Sequence, residues 1–191
     1  MSSRKPDPWL IAAIAGGIFY PLLTYFCRAQ ISPKIFVLMG LVLIGMRLWG
    51  LRGKPEMRVW HTAFLFAAAG LVAILFLDAS IAVLAYPVVI SLSVAAVFGL
   101  SLYFPPSVVE RIARLSEPDL PPDGVIYTRR VTVVWFIFLL LNAAISLATA
   151  LVGTIAQWAL WNGLISYLLM GALFAGEIAI RYKVVRNKVR Q

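Results

Sequence analysis

Residues 131–152 read VTVVWFIFLLLNAAISLATALV, without a single charged side chain. A helix needs about 20 predominantly apolar residues to cross the hydrocarbon core of a bilayer. By length and composition this stretch is a spanning helix. Its flanks agree, because Arg129 and Arg130 precede it and Gly153-Thr154 separates it from a second apolar run over 155–180.

Four further runs of the same kind lie upstream, over 9–27, 34–51, 59–77 and 80–104. The composition supports reading them as spans. The chain is 62% hydrophobic and only 13% charged, against roughly 25% charged in ordinary soluble domains, and its mean hydropathy is +0.90. The expected fold class is all-α, a polytopic membrane bundle of six transmembrane helices forming one integral domain over 1–191. Asp78 and Ala79 leave room only for a tight hairpin between the third and fourth spans. Pro21 and Pro87 fall inside spans and are expected to kink them.

The net charge of +9 would suggest nucleic acid in a soluble domain, but here the cations stand at the ends of apolar runs. Of the 17 Lys and Arg, all but Arg28 and Lys34 fall on one side of the expected topology. That side takes Arg4 and Lys5, then Arg47, Arg52, Lys54 and Arg58, then Arg111, Arg114, Arg129 and Arg130. It ends with the tail cations Arg181, Lys183, Arg186, Lys188 and Arg190. The positive-inside rule then puts both termini in the cytoplasm. Arg47, near the end of the second run, is expected to snorkel to the headgroups.

The one long polar passage, 105–130, is the cytoplasmic connector. Ser107 stands three residues before Glu110, the spacing of a capping box. Val108, Val109, Ile112 and Leu115 would share one helical face, with Glu110, Arg111 and Arg114 on the other. A short amphipathic helix lying at the membrane surface follows, ended by Pro118, Pro121 and Pro122, with Asp123-Gly124 as a turn. This passage reads either as a plain connector or as a docking surface. The residues that would carry docking are Glu110, Arg111, Arg114, Glu117, Asp119, Arg129 and Arg130.

The segments VVERIARLSEPDLPPDGVIYTRRVTVVWFIFLLLN (108–142) and WALWNGLISYLLMGALFAGE (158–177) resemble an uncharacterised family of bacterial inner-membrane proteins. Its members tend to be encoded in aryl-polyene-type lipid clusters. More distantly, the arrangement is similar to the septation protein A family of multi-span envelope proteins. The resemblance implies partners among acyl carrier protein or acyl-chain enzymes at the cytoplasmic face, besides membrane lipids, and it supplies no catalytic motif.

The residues themselves offer little chemistry. His61 is followed by Phe64 and Leu65 where a membrane acyltransferase of the common kind would place an Asp. Asp7, Asp78, Asp119 and Asp123 are too scattered to gather the metal ions that a phosphatidyltransferase requires. One His and the single Cys27 suggest no metal site, and no cofactor is expected. An enzyme is not expected. The intramembrane polar residues His61, Asn142 and Glu177 form the candidate site of the alternative reading, a small lipid or solute transporter. Each also has an ordinary role open to it. His61 could anchor at the interface, Glu177 could pair with Arg181, and Asn142, like Asn162, could bond between helices. Trp158 and Trp161 suit an outer aromatic belt. Gly171 with Ala175, and Ala172 with Gly176, have the spacing of close helix contacts, as do Ala67 to Gly70. The leading expectation is an accessory or scaffold protein that assists envelope-lipid synthesis or export.

Overall fold

The computed structural model describes residues 8–50, 58–115 and 117–189. Among them are helices α1 (Pro8–Cys27), α2 (Pro33–Gly50), α3 (Arg58–Leu77), α4 (Ala79–Tyr103), α5 (Val108–Arg114), α6 (Pro122–Val152), α7 (Ile155–Leu160) and α8 (Ser166–Val189). A π-helical turn, Trp161–Ile165, joins α7 to α8. No strand occurs among the described residues. Arg4, Lys5, Asp7, Arg52, Lys54 and Arg190 lie outside them, as do the side chains of Arg58, Lys183, Arg186 and Lys188.

Among the described residues, four stretches are long and apolar enough to cross a membrane: Pro33–Gly50, Ala79–Tyr103, Pro122–Val152 and Ile155–Arg181. The shorter apolar stretches Ala15–Cys27 and Trp60–Phe76 lie in α1 and α3. Large apolar side chains coat the outside, with Phe66 73%, Phe76 84% and Val152 88% exposed. A water-soluble monomer does not tolerate apolar surface on that scale.

The most extensive packing among the described residues involves α4, which packs on α6, α3 and α2, while α1 packs on α2 and α7. One core joins Tyr20, Phe36, Ile44, Phe64, Leu71, Tyr86 and Trp158. The other joins Phe98 of α4, Val108 of α5 and Leu139 of α6. Glycines make the close approaches possible. A Cβ on Gly40 would come within 2.9 Å of the Tyr86 ring, and one on Gly99 within 2.8 Å of Phe136. The small residues expected to pack α8 do not do so. Nothing lies within 4 Å of a Cβ placed on Gly171 or Gly176, and Ala172 and Ala175 are exposed. In the third span only Ala67 of that set is buried, and Gly70 meets nothing within 4 Å.

Local chemistry ends the helices where the sequence places the turns. The Asp78 carboxylate accepts from the amides of Ser80 and Ile81 at 2.6 and 3.2 Å and so caps α4. Thr154 and Gln157 form a reciprocal capping box at the start of α7. The fifth run, however, starts earlier than expected. Asp123 and Gly124 lie in the first turn of α6, not in a turn before it, because Pro122 suits a first helical position that needs no N–H. Arg129 and Arg130 are therefore helical residues, both exposed.

Candidate functional site

The polar passage folds onto the bundle through hydroxyls supplied by other helices. The backbone N–H of Val108 donates to Ser101 Oγ of α4 at 3.1 Å. That of Val109 donates to Thr132 Oγ1 of α6 at 3.3 Å. These bonds satisfy amides that a helix start otherwise leaves open. The expected capping box between Ser107 and Glu110 is not formed. The Ser107 hydroxyl is buried and has no hydrogen-bond partner. The geometric reason is that α5 is pressed between α4 and α6, so its first turn meets their hydroxyls instead.

Glu110 is a second correction to the sequence reading. It belongs to the buried side of α5, only 7% exposed, and not to the outward polar face. Arg114 answers it, with Nη2 and Nε 2.8 and 3.0 Å from one Glu110 oxygen. Arg114 Nη1 also donates to the Pro118 carbonyl at 3.0 Å, which closes the proline corner. Arg111 Nε donates to the Pro106 carbonyl at 2.8 Å. Of the expected docking residues, Glu117, Asp119, Arg129 and Arg130 are exposed, whereas Glu110, Arg111 and Arg114 hold the connector together. The apolar face divides as well. Val108 is buried, but Ile112 and Leu115 are 55% and 69% exposed and project beside those charges.

The intramembrane polar residues have separate environments. Asn142 Nδ2 donates to Ser91 Oγ at 3.0 Å and its Oδ1 accepts from Trp161 Nε1 at 3.1 Å. Asn162 Oδ1 accepts from Ser146 Oγ at 2.6 Å, and its Nδ2 donates to the Trp158 carbonyl at 2.9 Å. Both asparagines thus bond between helices, the ordinary role open to them. The hydrogen bonds of Asn142 go to neither His61 nor Glu177. His61 is half-buried near the start of α3. Glu177 is half-buried on α8 and makes no ion pair with Arg181. The backbone carbonyl of Glu177 accepts a long 3.5 Å bond from the Tyr127 hydroxyl.

Two aromatic and cationic residues also depart from the sequence reading. Trp158 is fully buried, with its indole N–H on the Leu84 carbonyl at 3.2 Å, so it is a core residue and not part of an outer belt. Arg47 does not simply reach outward. Its guanidinium lies 5.6 Å from the centre of the Phe64 ring, and one terminal nitrogen would be 2.8 Å from a Cβ on Gly17. A cation over an aromatic face is held by the ring quadrupole. The Tyr86 ring lies 4.4 Å from that of Tyr20 nearby, tilted by 37°, and its buried hydroxyl has no partner. No sequence pattern announces this grouping, because its members come from α1, α2, α3 and α4.

The described fold and surface define an all-helical protein with apolar helices of membrane-crossing length. No known protein family, curated protein or solved structure matches the chain.

Proposed function

We propose that the chain is a six-span inner-membrane accessory protein whose cytoplasmic connector docks a soluble partner. In support of six spans, α1 and α3 have 20 residues each, which is about 30 Å of helix and the thickness of the hydrocarbon core. The one-sided cations support cytoplasmic termini. The observation that carries the docking reading is the fixed seat of α5. The amides of Val108 and Val109 are held by α4 and α6, and Glu110, Arg111 and Arg114 are engaged within the connector itself, while Ile112, Leu115, Glu117, Asp119, Arg129 and Arg130 remain on the surface. A preorganised mixed patch avoids ordering costs on binding. Its basic pair would attract an acidic protein, the acyl-carrier class that the family resemblance implies. In this reading the protein assists envelope-lipid synthesis or export by holding such a partner at the membrane. The transporter alternative is weaker, since Asn142 is occupied by Ser91 and Trp161.

The test is partner recovery from native membranes with Arg129→Glu and Arg130→Glu combined. Recovery that falls at low salt supports docking, and unchanged recovery leaves the passage a connector. Orientation is tested separately by a cysteine beside Asp78, which should label only from outside the cell.

A further inference from the structure

Arg28 and Lys34, the two cations that break the one-sided charge pattern, flank the same turn between α1 and α2. Beside that turn, at the end of α4 far from α5, lies a cavity of about 190 Å³. Phe36, Val83 and Ile155 supply apolar walls, and Thr24, Arg28 and Ser80 supply its polar groups. Phe36 and Val83 are core residues, so these walls are set by packing and not by loop position. Arg28 is exposed, and among the described residues it forms no ion pair. The carboxylate nearest in sequence to the cavity residues, Asp78, is turned to the amides of Ser80 and Ile81. The Thr24 hydroxyl already donates to the Tyr20 carbonyl at 2.9 Å. Donors toward a ligand are therefore the Arg28 fork and the Ser80 hydroxyl.

We infer that this cavity binds the head-proximal end of a single acyl chain carrying an anionic head, with Arg28 pairing the head. A bare inorganic anion would meet Arg28 and Ser80 but leave the apolar walls of Phe36, Val83 and Ile155 uncovered, so the lining matches a ligand that carries both an anion and hydrocarbon. The volume is below the roughly 300–1,000 Å³ of pockets that enclose whole drug-sized ligands, and it is too small for a helix of a second chain. One end of a chain fits. A guanidinium grips carboxylate or phosphate oxygens through two parallel N–H bonds, and a cation kept on the side that positive-inside bias disfavours has a purpose if it meets such a head. The site is independent of docking at α5 and stands whichever way partner recovery comes out.

The experiment uses the full chain in nanodiscs of neutral phosphatidylcholine, with a diazirine-bearing C16 fatty acid as the probe and mass spectrometry to map adducts. Adducts should concentrate at Phe36, Val83 and Ile155. Arg28→Ala should lower them about ten-fold, the loss of one charge-assisted pair, and Arg28→Lys should retain part of the labelling. The matching C16 alcohol should label about ten-fold less. Because Arg28 is exposed, its replacement leaves the core intact, which an unchanged melt by circular dichroism verifies. Equal labelling by acid and alcohol, or labelling indifferent to Arg28→Ala, would mean bulk lipid only and overturns the inference. Displacement of the probe by inorganic phosphate alone would overturn the acyl part of it.

Discussion

Arg114 folds back over Glu110, placing two guanidinium nitrogens 2.8 and 3.0 Å from a single oxygen of a carboxylate that is only 7% exposed. The pair lies within one turn of α5 and ties it to the Pro118 carbonyl, so the connector is a fixed part of the bundle surface.

Glu110→Ala is expected to loosen that surface more than it destabilises the bundle. Hydrogen bonds to charged groups contribute about 1.5–3 kcal/mol. Water reaching Arg114, whose side chain is 38% exposed, brings the loss to about 1 kcal/mol. A thermal melt in detergent and the solvent labelling of a cysteine at Val109 measure the two effects. Labelling equal to that of the unaltered background would show the pair to be incidental.

Thr132→Val keeps the shape of the side chain and removes the acceptor for the Val109 amide. Hydrogen exchange at the first turn of α5 should accelerate, at a cost of about 1 kcal/mol. Ser107→Ala should stay within about 0.5 kcal/mol, because its hydroxyl has no partner to lose. A larger effect from Ser107 than from Thr132 would restore the capping-box account.

Asn142 and Ser91 give a direct measure of interhelical bonding between α6 and α4. A double-mutant cycle with Asn142→Leu and Ser91→Ala should return a coupling near 0.6 kcal/mol, the average for such bonds in membranes. Independent effects of the two substitutions would count against the bond.

Gly40→Val and Gly171→Val separate packed from unpacked glycines. The first drives a side chain toward the Tyr86 ring, where a Cβ already comes within 2.9 Å, and should cost about 1–3 kcal/mol of stability. The second meets nothing within 4 Å and should leave the monomer's melt unchanged. Loss of a dimer with Gly171→Val would show that a neighbouring chain covers α8.

The sequence alone determined the helical class, the long apolar stretches, and the turns at Asp78 and Thr154, because each depends on composition or on residues within one turn of each other. It also offered interhelical bonding as the ordinary role of Asn142 and Asn162, since an amide inside an apolar run has few other partners, but it left Asn142 equally a member of a candidate intramembrane site with His61 and Glu177. Only the tertiary structure decided which helix faces pack, that Trp158 is core, that Arg47 turns toward Phe64, and that Glu110 is buried. In water a packed face stands out as apolar against polar surroundings. In a helix bundle sheathed by apolar side chains both faces are apolar, so periodicity loses its contrast. The caps of α5 are hidden for a related reason. Ser101 and Thr132 lie 7 and 23 residues from the amides they accept, and their hydroxyls look like any other Ser or Thr until the helices that carry them are brought together.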